Sequence, residues 1–178
     1  RIPDTARVLK LEAPEEIWLD HPHVVTLEAR PSSSGSAVEA YLLKDLVDDS
    51  MRMSPRWLIV GEVRTGDAAL ALFRAQMSDH PGLSTFHTKS PADAVGRMAV
   101  LMMADAGVAM SAGVYLFERA VDLVVQVGWQ GDVRRIIGVW ETDGVIQEGD
   151  LAQVNFRPVY TQGDEGLAPL TRRQRRPV

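Results

Sequence analysis

The sequence predicts an α/β fold built on a mostly parallel, doubly wound sheet. Three observations carry that expectation. Trp57-Leu58-Ile59-Val60 is apolar on both faces, as a strand covered on both sides of a parallel sheet must be. Apolar strand-like runs alternate with segments of helical periodicity along the chain. Two of the strands also run straight into a titratable residue, Glu62 after Trp57–Val60 and His87 after Leu83–Phe86. Open α/β sheets bind their ligands at the carboxyl ends of the strands.

The elements follow in order. Val8–Leu11 reads as a short strand, and Val24–Glu28 as a second, after the turn-like Asp20-His21-Pro22-His23. Pro31-Ser32-Ser33-Ser34-Gly35-Ser36 reads as a flexible loop. Leu42–Met53 places Leu43, Leu46, Val47 and Met51 at helical spacing, and the Trp57–Val60 strand follows. Gly66–Met77 is rich in alanine and leucine and reads as a helix before the Leu83–Phe86 strand. Ser90-Pro91-Ala92-Asp93 is a strong helix start, serine as N-cap and proline at the first helical position, for a helix reaching about Ala106. Ala112–Ala120 is a further helix. Leu123–Trp129 and Arg134–Trp140 read as late strands joined by a Gly131-Asp132 turn. Beyond Gly144 the pattern weakens to one strand at Asn155–Tyr160, and no internal repeat appears.

Composition narrows the classes. With 178 residues the chain is about one domain, and 46% hydrophobic with 24% charged residues is ordinary for a globular protein. The absence of cysteine removes disulfides, cysteine-based zinc sites and thiol nucleophiles, and fits a reducing compartment. No apolar run approaches a membrane span, since the most apolar helix candidate, Met98–Met110, is cut by Asp105. The net charge of −5 argues against a nucleic-acid-binding surface, although Leu170–Arg176 gathers four arginines. That tail reads as a disordered, solvated end, with contact to phosphates or an anionic membrane as the other reading. The chain opens on Arg1 without a signal peptide, which suggests a trimmed piece of something longer.

The chemistry concentrates on a few side chains. Glu62 ends a buried strand where nucleotide-hydrolysing α/β proteins place the carboxylate that manages Mg²⁺ or the attacking water; a solvated surface carboxylate is the competing reading. His87 at the next strand end can hydrogen-bond a phosphate oxygen, or simply cap a loop. His80, in Asp79-His80-Pro81-Gly82, is by itself a turn histidine. Glu12, Glu15 and Glu16 could include a general base for water, or form a solvated acidic turn. Arg30, Arg52 and Arg64 lie near strands and could clamp phosphate oxygens through their planar donors.

Taken together, Glu12-Ala13-Pro14-Glu15-Glu16, Leu27-Glu28-Ala29-Arg30-Pro31, Arg52-Met53-Ser54-Pro55, Gly61-Glu62-Val63-Arg64 and His80-Pro81-Gly82-Leu83-Ser84-Thr85-Phe86-His87 resemble, in order and spacing, the type II/IV secretion-system traffic ATPases. The nearest relatives look like the tight-adherence pilus and conjugation branch. The resemblance covers about Val8 to Gln126 and is densest from Arg52 to Pro91. It implies a RecA-like P-loop NTPase core, incomplete at its N-terminus, with residues 1–165 as the C-terminal part of the ATPase domain and 166–178 as a basic tail. Such proteins are hexameric, cytoplasmic and peripheral to the inner face of the cell membrane. They work with inner-membrane secretion or pilus platform proteins and use ATP to power pilus assembly, protein secretion or DNA transfer, with no direct nucleic-acid contact expected of this piece. The resemblance implies Glu12 in the acidic box, Glu62 in the Walker B motif and His87 in the histidine box as catalytic residues. It implies ATP and Mg²⁺ as cofactors, the cation meeting Glu62 through water. Arg64, Arg52, Arg30 and His80 become nucleotide-binding candidates. Arg64 and Arg52 are assigned to their own subunit, and Arg30 to the neighbour across a ring interface.

The departures bear on activity. Ala13 stands where the family's acidic box usually has aspartate, Ser54 where a second arginine is frequent, and Asp79 where glycine is usual in a turn that is one residue short. The chain contains no Gly-x-x-x-x-Gly-Lys-Ser/Thr, the loop that supplies the backbone cradle, lysine and Mg²⁺-binding hydroxyl. The expectation is therefore a catalytic half without its phosphate cradle, cut from a longer motor and inactive alone. A non-catalytic assembly or regulatory subunit derived from the family is the alternative, and an unrelated anion-binding α/β domain a third. The lack of cysteine argues against the branch that carries a four-cysteine zinc module.

Overall fold

The computed structural model describes residues 1–32, 38–149, 151–161 and 163. It divides into two compact units, the first Arg1–His87 with Ala104–Gly107, the second Thr88–Met103 with the chain from Val108 onward.

The first unit holds a parallel four-stranded sheet in the order β2-β1-β3-β4, with β1 Val8–Glu12, β2 Val24–Glu28, β3 Trp57–Glu62 and β4 Gly82–Thr85. Register runs Val8 to Val24 and Val8 to Trp57, then Leu58 to Gly82. The two middle strands are buried along almost their whole length; β3 reads as a continuous apolar run for that reason, while β1 buries Lys10 and Glu12 among its apolar residues. Helix α1 (Leu43–Ser50) links β2 to β3, and α2 (Gly66–Met77) links β3 to β4. Leu43, Leu46 and Val47 of α1 and Ala68, Ala69, Leu72 and Phe73 of α2 are buried with the strand core.

Helix α1 is shorter than its periodicity predicts. The Asp45 carboxylate accepts from the Leu42 backbone N–H at 2.8 Å and fixes the start. Beyond Ser50 the backbone tightens into three-residue turns, Arg52 N–H donating to the Asp49 carbonyl at 3.0 Å and Met53 N–H to the Ser50 carbonyl at 2.9 Å, before Ser54 turns the chain at φ +53°. Asp79, the other non-glycine residue at positive φ (+65°), occupies the turn before β4. Aspartate tolerates the left-handed region better than most residues, so the turn survives without glycine. Strand β4 starts one residue earlier than predicted, and Gly82 is required there: a Cβ would lie 2.5 Å from the Leu58 carbonyl oxygen of β3. Gly82→Ala should push β4 off β3 and lower stability by about 1–3 kcal/mol, read as a reduced urea midpoint with the slope unchanged.

The second unit holds α3 (Pro91–Ala106, its last residues counted with the first unit), α4 (Met110–Ala120) and an antiparallel sheet β5-β6-β7. Ser90 Oγ accepts from the Asp93 N–H at 3.1 Å, the cap that the sequence predicts. The hairpin of β5 (Leu123–Gln130) and β6 (Val133–Glu148) turns at Gly131, φ +60°. Strand β6 runs on past Gly144, where a register shift between Thr142 and Val145 bends the ladder without ending it, and pairs with β7 (Leu151–Thr161). The late strands thus form their own sheet and do not extend the parallel one. The loop expected at Pro31–Ser36 lies mostly, and the basic tail 166–178 wholly, outside the described residues. Among the described residues no single helix is long and apolar enough to cross a membrane.

Candidate functional site

The parallel strands deliver Glu12, Glu62 and His87 to one edge, the carboxyl ends of β1, β3 and the segment after β4. Val60 pairs with Ser84, but the next pair is Glu62 with Thr85, so Gly61 is an inserted bulge residue. In-register residues share a face of a sheet, and Ile59 pairs with both Lys10 and Leu83. The bulge therefore turns Glu62 onto the face of Thr85, Leu83, Lys10 and Glu12. Glycine at the bulge also leaves room for Glu12, whose Cγ would lie 3.1 Å from an added Cβ.

Glu62 is held from two sides. Arg64 donates to its Oε2 from Nε at 2.8 Å and Nη2 at 2.5 Å. His87 Nε2 lies 3.5 Å from its Oε1. The Glu62 side chain is 20% exposed, between Arg64 at 59% and His87 at 85%. The carboxylate is thus set back at the sheet edge while a cation and an imidazole stand outward of it. The hydrogen bonds to Glu62, and then the charge of its carboxylate, raise the Arg64 guanidinium above its ordinary pKa. Helix α2 begins just beyond, and its Gly66 N–H donates to Asp105 Oδ2 at 2.6 Å.

Glu12 has a different environment. It is 1% exposed and accepts from the backbone N–H groups of Glu16 at 3.1 Å and Ile17 at 3.0 Å. Lys10, 3% exposed, stands 3.2 Å from its Oε2 and donates to Glu15 Oε1 and the Ile17 carbonyl, each at 2.6 Å. Burial works against the Lys10 ammonium, but its bonds to Glu15 and Glu12 outweigh that and raise its pKa above the ordinary lysine value. The two buried charges clamp the Glu15–Ile17 segment to β1. Expected as a catalytic carboxylate, Glu12 is engaged here by main-chain donors and a lysine.

The arginines and His80 separate. Arg30 follows β2 on the Glu62 edge, its backbone paired to Tyr41 and its Nη2 donating to the Glu39 carbonyl at 3.1 Å. Arg52 precedes β3 and His80 precedes β4, so both stand at the opposite, amino edge. The length of β3, about 17 Å of rise, lies between that edge and Glu62. The structure does not bring Arg52 or His80 to Glu62 within this chain. What sequence reading missed is Lys10 and Asp105. Lys10 had a signal, a charge in the middle of the buried run Val8-Leu9-Lys10-Leu11. Asp105 had none, since it reaches Gly66 from 39 residues away.

Among the described residues no three His, Asp or Glu side chains gather as a direct metal site. One carboxylate is nonetheless what Mg²⁺ commonly takes from a protein when phosphates and waters supply its other ligands, so Glu62 fits that cation.

The family model for type II/IV secretion system proteins matches residues 2–133. VirB11 of Agrobacterium fabrum is 29% identical over 153 residues, covering 84% of this chain and 44% of that protein. The type IV secretion system protein PtlH of Bordetella pertussis is 30% identical over 152 residues, 81% of this chain and 44% of the relative. The chain spans less than half the length of these curated relatives. Among solved structures, the VirB11 ATPase of the Brucella suis type IV secretion system, in complex with sulphate, superposes with a TM-score of 0.65 at 22% identity, over 79% of this chain and 41% of that one. That likeness establishes the α/β fold with its parallel sheet and flanking helices.

Proposed function

The chain belongs to the type II/IV secretion system protein family, and from that premise we propose that it is the C-terminal, reaction-bearing part of a motor ATPase for secretion, pilus assembly or conjugation. The observation that carries this reading is Glu62, turned by the Gly61 bulge onto the carboxyl edge and fixed between Arg64 and His87. A fixed carboxylate at that edge orients a water against a phosphoryl group and takes up its proton. His87, largely exposed and beside Glu62, offers an N–H to a phosphate oxygen. Arg64 restrains Glu62 and keeps a positive charge where negative charge develops. Glu12 and Lys10 act by position, holding the loop that borders the edge. When bound, Mg²⁺ would meet Glu62 through water and neutralise phosphate charge.

The phosphate cradle would come from chain outside these residues. The parent would assemble as a ring, hexameric by analogy with the family, bound peripherally to an inner-membrane platform from the cytoplasmic side. Arg30 lies on the reaction edge and is exposed, and the guanidinium donors other than the Nη2 that meets Glu39 would serve a neighbouring subunit. A second reading, an assembly or regulatory subunit without turnover, is favoured by Ala13 in the acidic box. Phosphate release from ATP separates the readings. The isolated 178-residue chain should be inactive, and a polypeptide that includes a Gly-x-x-x-x-Gly-Lys-Ser/Thr segment should turn over. Inactivity of the longer polypeptide favours the regulatory reading. Turnover by the isolated chain that Glu62→Gln abolishes would mean the phosphate site lies within it.

A further inference from the structure

The amino edge of the parallel sheet carries a row of basic side chains that the reaction edge does not use. Extending the register back by one residue from Val8–Val24 and Val8–Trp57, and by two from Leu58–Gly82, sets His23, Arg7, Arg56 and His80 side by side across β2, β1, β3 and β4. The backbone bears this out: Val8 N–H donates to the His23 carbonyl at 2.9 Å, Arg56 N–H to the Arg7 carbonyl at 2.8 Å and Leu58 N–H to the Pro81 carbonyl at 3.0 Å. Neighbouring strands lie about 4.8 Å apart, so the row is about 14 Å long. Arg7 Nη1 donates to His23 Nε2 at 3.4 Å, so His23 turns its ring toward the Arg7 guanidinium. Among the described residues neither Arg7 nor Arg56 forms an ion pair, although the chain is acidic overall. Two atoms of the row, Arg7 Nε and His80 Nδ1, are buried without a hydrogen-bond partner.

Buried polar nitrogens left unsatisfied are costly, and the Arg7 and Arg56 guanidinium groups start from neighbouring strands with like charge. A compact oxyanion resolves both. Guanidinium groups present planar forks that match phosphate oxygens, and an imidazole adds a further donor. We propose that this amino edge is a second anion site that takes a phosphate group between Arg7, Arg56 and His80, distinct from the Glu62 edge. Arg52, exposed in the segment before Arg56, adds charge at its border. The group is either a free phosphate or pyrophosphate or the headgroup of an anionic lipid.

The test uses the 178-residue chain with inorganic pyrophosphate, against potassium chloride at matched ionic strength. Thermal unfolding should shift upward by a few degrees with pyrophosphate and not with chloride. The ring resonances of His23 and His80 should move in the same titration. Arg56 is exposed, so Arg56→Gln should fold normally and lose the response. Arg64→Gln, at the other edge, should keep it. In a second arm, vesicles containing phosphatidylglycerol are compared with neutral phosphatidylcholine vesicles. Sedimentation with the anionic vesicles alone, lost in Arg56→Gln, assigns the phosphate to lipid. If pyrophosphate and anionic vesicles both fail to bind, or if binding is the same in Arg56→Gln, the site does not exist.

Discussion

In a polypeptide that supplies the phosphate-binding loop, Glu62→Gln should lower kcat about a hundredfold or more while ATP affinity changes little. A positioned acid–base carboxylate contributes roughly that factor, and it acts on water and cation more than on the nucleotide base. The amide keeps the size of the side chain and can still meet Arg64, so the fold should persist. His87→Ala should cost less, because it removes one outward donor beside a carboxylate still held by Arg64. Steady-state turnover and equilibrium binding on the same preparations separate the two quantities. Collapse of affinity with kcat intact would give Glu62 a binding role.

Lys10→Ala should be the most damaging substitution for stability. It leaves the Glu12 carboxylate buried without its cation and frees the Ile17 carbonyl. Breaking a buried pair from one side costs about 3–5 kcal/mol, enough to unfold a marginal domain. Lys10→Met should be milder in packing but equally unable to pair Glu12. The pH dependence has a defined sign. The folded pKa of Lys10 is raised, so its contribution is complete below the ordinary lysine value and is lost as pH climbs through the raised one. Wild type should therefore lose stability at strongly alkaline pH by a component that Lys10→Met lacks. Urea midpoints from neutral to alkaline pH measure it, and equal slopes for the two proteins would remove Lys10 from the account.

The architecture was legible where one physical demand dominates. Trp57–Val60 had to be apolar on both faces because sheet neighbours and helices cover both, and that marked β3 and the edge at its end. The Gly131-Asp132 turn was legible because tight hairpins need positive φ. Two features were not. Gly61 before an acidic residue gives no sign of a bulge, since only pairing with β4 reveals the shifted register that turns Glu62. Adjacency to a strand is not enough to place a residue at the site, whereas order along the chain says which end of the strand it occupies. Arg52 and Arg64 both flank β3 in sequence, yet one sits at its start and the other beyond its end. His80 and His87 divide around β4 in the same way. Gly144 misled for a related reason: at φ +83° it bends β6 while the ladder continues on both sides.

The central claim is that the reacting phosphates meet the Glu62–His87 edge, and paramagnetic broadening tests it most directly. In a polypeptide containing the phosphate-binding loop, Mn²⁺ with ATP stands in for Mg²⁺ with ATP, and the histidine ring resonances are followed by NMR. His87, beside Glu62, should broaden first and most strongly, while His23 and His80, about a strand's length away, should remain sharper at the same Mn²⁺ level. Broadening of His80 or His23 ahead of His87 would contradict the assignment and move the nucleotide to the opposite edge of the sheet.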